Sequence, residues 1–296
     1  MASIQLEKIA FPLLRKTPRL RRYAAQPGLA LAWLVLLTVT LWALFPGLFT
    51  HASPIEGVPG AQRLAPGGNY LLGNDLLGDY LLGTDQLGRD LYTRIVYGSA
   101  HSLSGAVIAV SLGLVLGSLL GLLAGAVGGR LDTLVMRTVD VLLAIPGLLL
   151  ALSVIILLGF GNLNAAIAVG VTSVANFTRL VRAEVLRVRR SDYVEAAFGS
   201  GGTFFSVLWR HILPNSLTSV LAFAALQFGS AILALATLSF LGYGAPPPTP
   251  EWGLLIAEGR NYLATAWWLT TFPGLLVVAV VLATNRISQS IRRSTR

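Results

Sequence analysis

Few side chains in this chain could do chemistry, and their spacing excludes most of it. There is no cysteine, so thiol catalysis, thiolate metal ligands and disulfides are absent. Three histidines, His51, His101 and His211, lie far apart without ligand-like spacing. The only lysines are Lys8 and Lys16, and neither follows a glycine. A phosphate-cradling Gly-Lys-Ser/Thr loop is therefore impossible, and ATP-driven work falls to another polypeptide. No convergent His, Asp or Ser constellation suggests a membrane-embedded enzyme. Two kinds of feature remain. One is a set of lone polar residues inside apolar runs: Asp140, Asn176, Gln227, Thr237 and Ser239. Such residues are costly in a membrane and often functional, although a hydrogen bond between helices or to backbone is the commoner explanation. Asp140 lies near the inner end of its run, where water or Arg137 can satisfy it, and suits a structural or gating role.

The second feature is a long polar interruption, Ser191 to Pro214, reading SDYVEAAFGSGGTFFSVLWRHILP. Ser191 can cap a short helix, with Asp192 and Glu195 in its first turn, where acidic groups suit the helix dipole. Ala196 and Ala197 leave a small, closely approachable surface, and Gly199, Gly201 and Gly202 end the helix. A second short amphipathic piece, Phe204–Ile212, leads to Pro214, which suits the first turn of a new helix. Arg179, Arg182, Arg187, Arg189 and Arg190 crowd the approach. Two short helices joined by a glycine break cannot cross a bilayer. They would lie at its surface and present a face to a partner; a plain amphipathic loop is the alternative.

The surrounding elements are membrane spans. The chain has 296 residues, 54% hydrophobic and 12% charged, with a mean hydropathy of +0.71. Soluble domains carry roughly twice that charge. Its apolar runs last about 20 residues, as in helices, not the ~10 alternating residues of a barrel strand. The expected fold is an all-α integral membrane protein with six transmembrane helices. They run Leu29–Phe49, Ser102–Val127, Thr138–Phe160 with a kink at Pro146, Ala165 to Val181, Leu217–Gly242 and Leu269–Ile287. Gly113, Gly117, Gly121 and Gly125 recur every fourth residue, which puts them on one face and lets another helix approach closely. The first run exceeds a signal-peptide core and no convincing cleavage site follows, so it reads as a true span.

Four segments are expected: 1–66 (basic N-terminus and first helix), 67–100 (extracytoplasmic loop), 101–290 (membrane core containing 191–214) and a basic tail, 291–296. The loop contains a duplication, Tyr70–Asp79 followed at once by Tyr80–Arg89. Its Gly and Asn-Asp positions favour turns, with the leucines tucked inward. Calcium on Asp75, Asp79, Asp85 and Asp90 is conceivable, but acidic turn formers are far more common. Pro246 to Trp252 reads as a rigid extended loop, and Trp267-Trp268 as an interfacial anchor.

The net charge of +9 would suggest nucleic acid in a soluble protein. Here the basic residues flank apolar runs, so orientation explains them and no nucleic-acid partner is expected. With the N-terminus inside, the inner segments hold six, two, six and four Lys/Arg residues, eighteen of 22. The outer segments hold Arg63, Arg89, Arg94 and Arg260. This asymmetry puts both termini and the 183–213 segment in the cytoplasm.

Glu195-Ala196-Ala197, three residues, Gly201, then Leu213-Pro214 resembles the EAA loop of type I ABC importer permeases. His211-Ile-Leu-Pro-Asn215 is similar to the ending in the dipeptide/oligopeptide (nickel) branch. Leu82-Gly-Thr-Asp-Gln-Leu-Gly-Arg-Asp90, Leu238-Ser-Phe-Leu-Gly-Tyr-Gly244 and Pro247-Pro-Thr-Pro-Glu-Trp-Gly253 resemble the C-type subunit of that branch. The match spans nearly the whole chain and implies a permease of the bacterial cytoplasmic membrane.

Several roles follow from that resemblance. Asp192, Tyr193, Glu195, Ala196, Ala197, Gly201, Leu213 and Pro214 would form the coupling helix and its flanks, docked in a groove of a cytoplasmic ATPase. ATP and magnesium would sit in two partner ATPase chains, with no cofactor or catalysis here. The other partners would be a homologous B-type permease, an extracytoplasmic binding protein and membrane lipid. The cargo would be dipeptides or oligopeptides, or within the same family nickel complexes, glutathione or peptide-like solutes. Asp140 resembles a recurring Asp of the family. Three departures stand out: the extra ten-residue repeat, Gly199-Ser200 in place of Ala-Leu, and no Gly-Asp in the Asn285–Ser290 tail. The contrasting class, an ATPase-independent secondary transporter, would need more ionisable residues within the spans.

Overall fold

The computed structural model describes residues 27–67 and 80–294. The basic N-terminal stretch, the first copy of the repeat with Asp75 and Asp79, and the last two residues lie outside them. Among the described residues the fold is built from nine helices: α1 Pro27–Leu44, α2 Leu91–Val127, α3 Gly129–Ala144, α4 Gly147–Leu158, α5 Asn162–Arg189, α6 Asp192–Gly199, α7 Phe204–Phe240, α8 Trp252–Gly259 and α9 Trp268–Ser294. Four of them, α1, α2, α7 and α9, are long and apolar enough to cross a membrane alone, and α3 with α4 makes a fifth candidate.

The glycine stripe sets the central packing. A Cβ on Gly113 would lie 2.6 Å from Ser173 Cβ, and one on Gly117 would lie 2.5 Å from Phe177 Cβ. At Gly121 it would meet Thr178 O at 2.6 Å, and at Gly125 Val185 Cγ1 at 2.9 Å. Only glycine lets α5 lie so close along α2. The contacts advance together in both sequences, so α2 and α5 run parallel. Phe177, fully buried between them, meets Phe223 of α7 edge to face at 5.1 Å. The helix α1 lies outermost, its Leu29 and Ala32 packed on Ala283 and Ile287 of α9.

Several expected boundaries change. The second span begins at Leu91, not Ser102, because the Asp90 carboxylate caps the helix by accepting from Thr93 N at 2.8 Å. The domain boundary at 100 therefore falls inside α2. The third span is not one kinked helix. It breaks by 95° between Ala144 and Gly147, where Pro146 has no N–H to continue the ladder and forces Ile145 into an extended conformation. Phe204–Ile212 is not a separate surface helix but the first turns of α7. A wide turn at Leu208–Ile212, in which Leu213 N reaches Leu208 O, accommodates Pro214 inside a continuous helix.

Of the leucines in the second repeat, only Leu82 packs toward the core. Leu81 and Leu87 are exposed, while Tyr80, Thr84, Asp85 and Arg89 are buried. Trp268 is not a free interfacial anchor either: it is buried, and its Nε1 donates to Thr84 O at 3.3 Å. Trp267 beside it stays exposed.

Candidate functional site

The segment after α5 is a short helix standing on an apolar foot. Val194 of α6 is fully buried with Val185 and Val188 of α5 and with Val207, Leu208 and Ile212 of α7. Tyr193, Glu195, Ala196 and Phe198 face outward, and Ala197 is half-buried. The end of α6 is a Schellman motif: Gly202 N donates to Ala197 O and Gly201 N to Phe198 O, both at 3.0 Å. That closure requires φ = +86° at Gly201, where a side chain is strained. A Cβ on Gly202 would press to 2.6 Å from Ala197 O. The glycines thus turn the chain sharply and leave the α6 face uncovered.

Ser191 stands at the cap position of α6, yet its hydroxyl does not cap. It donates back to Val188 O at 2.5 Å. Leu213 and Pro214 lie in the first third of α7, beyond the wide turn, and not on α6 itself.

The lone polar residues divide into two groups. Asp140 of α3 is 56% exposed and pairs at 2.7 Å with Arg179 Nη2 of α5, not with Arg137. Asn176, exposed one turn away, donates to Thr172 O at 3.3 Å. These three form one polar cluster. Gln227 and Thr237 are half-buried on α7, and the Thr237 hydroxyl bonds Leu233 O at 2.8 Å. Ser239 is buried against Gly244, where a Cβ would meet its Oγ at 2.0 Å. It packs against the turn after α7. The five candidates do not converge on one point.

Residues 117–296 match the family described as the binding-protein-dependent transport system inner membrane component. The chain belongs to that family. It is 38% identical over 265 residues to the dipeptide transport system permease protein of Alkalihalophilus pseudofirmus, covering 89% of this chain and 84% of that one. The glutathione transport system permease protein of Pectobacterium atrosepticum is 41% identical over 203 residues, 69% of this chain and 67% of that one. A putative peptide transport system permease protein of Brucella suis is 37% identical over 276 residues, 92% and 88% of the two chains. Among solved structures, an inward-facing methionine ABC transporter aligns with a TM-score of 0.59 at 18% identity, over 70% of this chain and 98% of its own. A permease of this family is a multi-pass inner-membrane component of a transport system.

The permease also carries a polar centre that sequence reasoning did not assemble. Two of its motifs, Leu82–Asp90 and Pro247–Gly253, meet across α2. Arg94 is fully buried and donates through Nη1 to Asp85 Oδ2 at 2.5 Å and to Glu258 Oε2 at 2.9 Å. Arg89, also buried, bonds Asp85 at 2.6 Å and Glu258 at 3.3 Å. Glu251 caps α8 through Gly253 N and Leu254 N and accepts from Ser102 Oγ at 3.1 Å. Trp252, with no exposed surface, donates from Nε1 to Ile95 O at 3.1 Å. Asp85 is thus bridged by two arginines, whereas Asp90 accepts from Thr93, and no metal-ligand cluster occurs among the described residues. Burial pushes the Asp90 carboxyl above the ordinary range, against the lowering effect of its Thr93 donors. The arginines were legible as charges in a motif. Their partner Glu258 was not, because nothing in spacing links it to them.

Proposed function

We propose that this chain is the transmembrane subunit of an ATP-driven importer that moves dipeptides or oligopeptides across the bacterial cytoplasmic membrane. The observation that carries it is α6: an exposed Glu195-Ala196 face, footed on Val194 and closed by a glycine turn, presented by a chain without a phosphate-cradling Gly-Lys-Ser/Thr loop. Such a helix suits a groove on a cytoplasmic ATPase, with Asp192, Tyr193 and Ala197 beside the contact and Leu213-Pro214 anchoring its far side. Two ATPase chains would hold the nucleotide and magnesium. A homologous B-type permease would complete the pore, and an extracytoplasmic binding protein would deliver cargo.

Six crossings with both termini cytoplasmic fit the charge asymmetry. The parallel run of α2 and α5, with the bent α3–α4 pair returning between them, supports the same path. A reporter fused after Arg190 that proved extracytoplasmic would refute it.

Peptide cargo rests on the names of relatives that cover most of the chain. The glutathione permease relative favours a second reading, a peptide-like tripeptide cargo. Replacing Glu195 and measuring both ATPase association and peptide uptake tests the proposal. Both are expected to fall; uptake that persists in a complex lacking any ATPase would refute it.

A further inference from the structure

The Asp140–Arg179 pair poses a physical problem. Both side chains are more than half exposed. Arg179 sits ten residues above Arg189, whose Nη1 holds the Ala126 carbonyl at the end of α2 at 2.9 Å. At a rise of about 1.5 Å per residue the pair stands about 15 Å above that end of the bundle. The other end of α5, at Asn162, is about 25 Å away on the same rise. With a ~30 Å hydrocarbon zone centred on α5, which is about 42 Å long, that depth falls inside the zone. Exposed charges there do not face lipid; they face water or a polar partner.

The helices α3 and α5 extend this pair into a surface. Asp132 binds Arg182 and Asp140 binds Arg179, so α3 and α5 are antiparallel. Along α3, residues 130, 133, 137 and 140 recur at helical spacing and all are exposed. On α5, Asn176, Arg179, Ala183 and Arg187 do the same. In an antiparallel pair with these contacts, both stripes fall on the same side of the α3–α5 seam. The apolar residues of α3, Leu131, Leu134 and Val141, occupy a separate exposed stripe that suits lipid or a partner. The other side is polar.

Its charge is basic. Asp140–Arg179 and Glu184–Arg187 are neutral as pairs. Arg130 and Arg137 have no carboxylate within reach among the described residues. Arg179 also uses only Nη2 on Asp140, which leaves its other donors without a protein acceptor among the described residues. Retention of positive charge on the inner side accounts for the arginines of these helices, Arg179 included, but not for the carboxylate of Asp140 about 15 Å above Arg130.

We propose that α3 and α5 form a basic, water-filled trough on the inner half of the translocation path, and that it takes the carboxylate end of a peptide in transit. The cargo part rests on the importer reading above; the trough does not. The chain is naturally free of cysteine, so Asn176→Cys gives a single reporter within it. In the assembled transporter in inverted membrane vesicles, that thiol should react with a sulfonate-bearing methanethiosulfonate. After normalisation to a free thiol, the preference over a trimethylammonium-bearing one should be about tenfold. Arg137→Gln, which breaks no ion pair, should lower that preference, and Arg137→Gln with Arg179→Gln should abolish it. Labelling only by a lipid-soluble maleimide, or no labelling, would place this face against lipid or the partner permease and overturn the trough. A preference that survives both substitutions would overturn its basic character.

For the cargo, uptake of trialanine is compared with uptake of its C-terminal amide. Arg137→Gln should slow the free acid selectively, whereas equal slowing of both, or of neither, would overturn the carboxylate role. If the unsubstituted assembly takes up neither peptide, the importer reading fails while the labelling result still decides the trough.

Discussion

The two polar regions of this permease are built in opposite ways. At one end of the helices, Asp85, Arg89, Arg94 and Glu258 are paired with one another, the first three buried and Glu258 mostly so. Glu251 and Trp252 beside them bond Ser102 and the Ile95 carbonyl. At the other end, α6 rests on an apolar foot, and its polar side chains point outward with no side-chain partner among the described residues. A buried ion network is rigid and fails badly when one member is lost. A short helix on an apolar foot can be loaded from outside and can transmit a push. The difference teaches which end holds the bundle together and which end is offered to another protein.

Breaking the buried network should have the largest effect. Arg94→Met leaves Glu258 with Arg89 alone and removes one of the two arginines on Asp85. Loss of one member of a buried charge network costs about 3–5 kcal/mol, and thermal unfolding of the purified permease should register it as a large drop. A small drop would mean that the network is not what ties α8 to α2. Gly201→Ala should cost about 1–2 kcal/mol locally, because alanine at φ = +86° is strained. Its effect on uptake should exceed its effect on global unfolding, since the strain falls on α6 and not on the bundle. The smallest effect is expected from Ser191→Ala. The hydroxyl bonds Val188 O and caps nothing, so unfolding should shift by less than about 0.5 kcal/mol. A larger shift would mean that this bond anchors the coupling segment.

How far these regions were legible in the sequence follows from the same contrast. Helix α6, its glycine turn and the close α2–α5 packing depend on local residue types at local spacing, so Gly201 and the Gly113–Gly125 stripe could be read directly. The break at Pro146 was visible only as a kink, since a proline marks where a ladder fails but not how far the next helix swings. The wide turn before Pro214 is a tertiary compromise between a continuous helix and a missing N–H. Glu258 as the partner of Arg94, and Arg179 as the partner of Asp140, join elements far apart in the chain, and no periodicity announces such pairs. Ser239 was misleading because a hydroxyl in an apolar run gives no sign of which neighbour it packs against.

The central claim is that the α6 face is the contact through which ATP hydrolysis elsewhere moves this permease. Ala196→Cys in the cysteine-free chain, combined with single cysteines along the groove of the ATPase subunit, tests it by disulfide cross-linking in membranes. A cross-link that forms in high yield and stops peptide uptake until it is reduced is the predicted result. An Ala196→Cys thiol that reacts freely with bulky aqueous reagents in the fully assembled, transporting complex would contradict it.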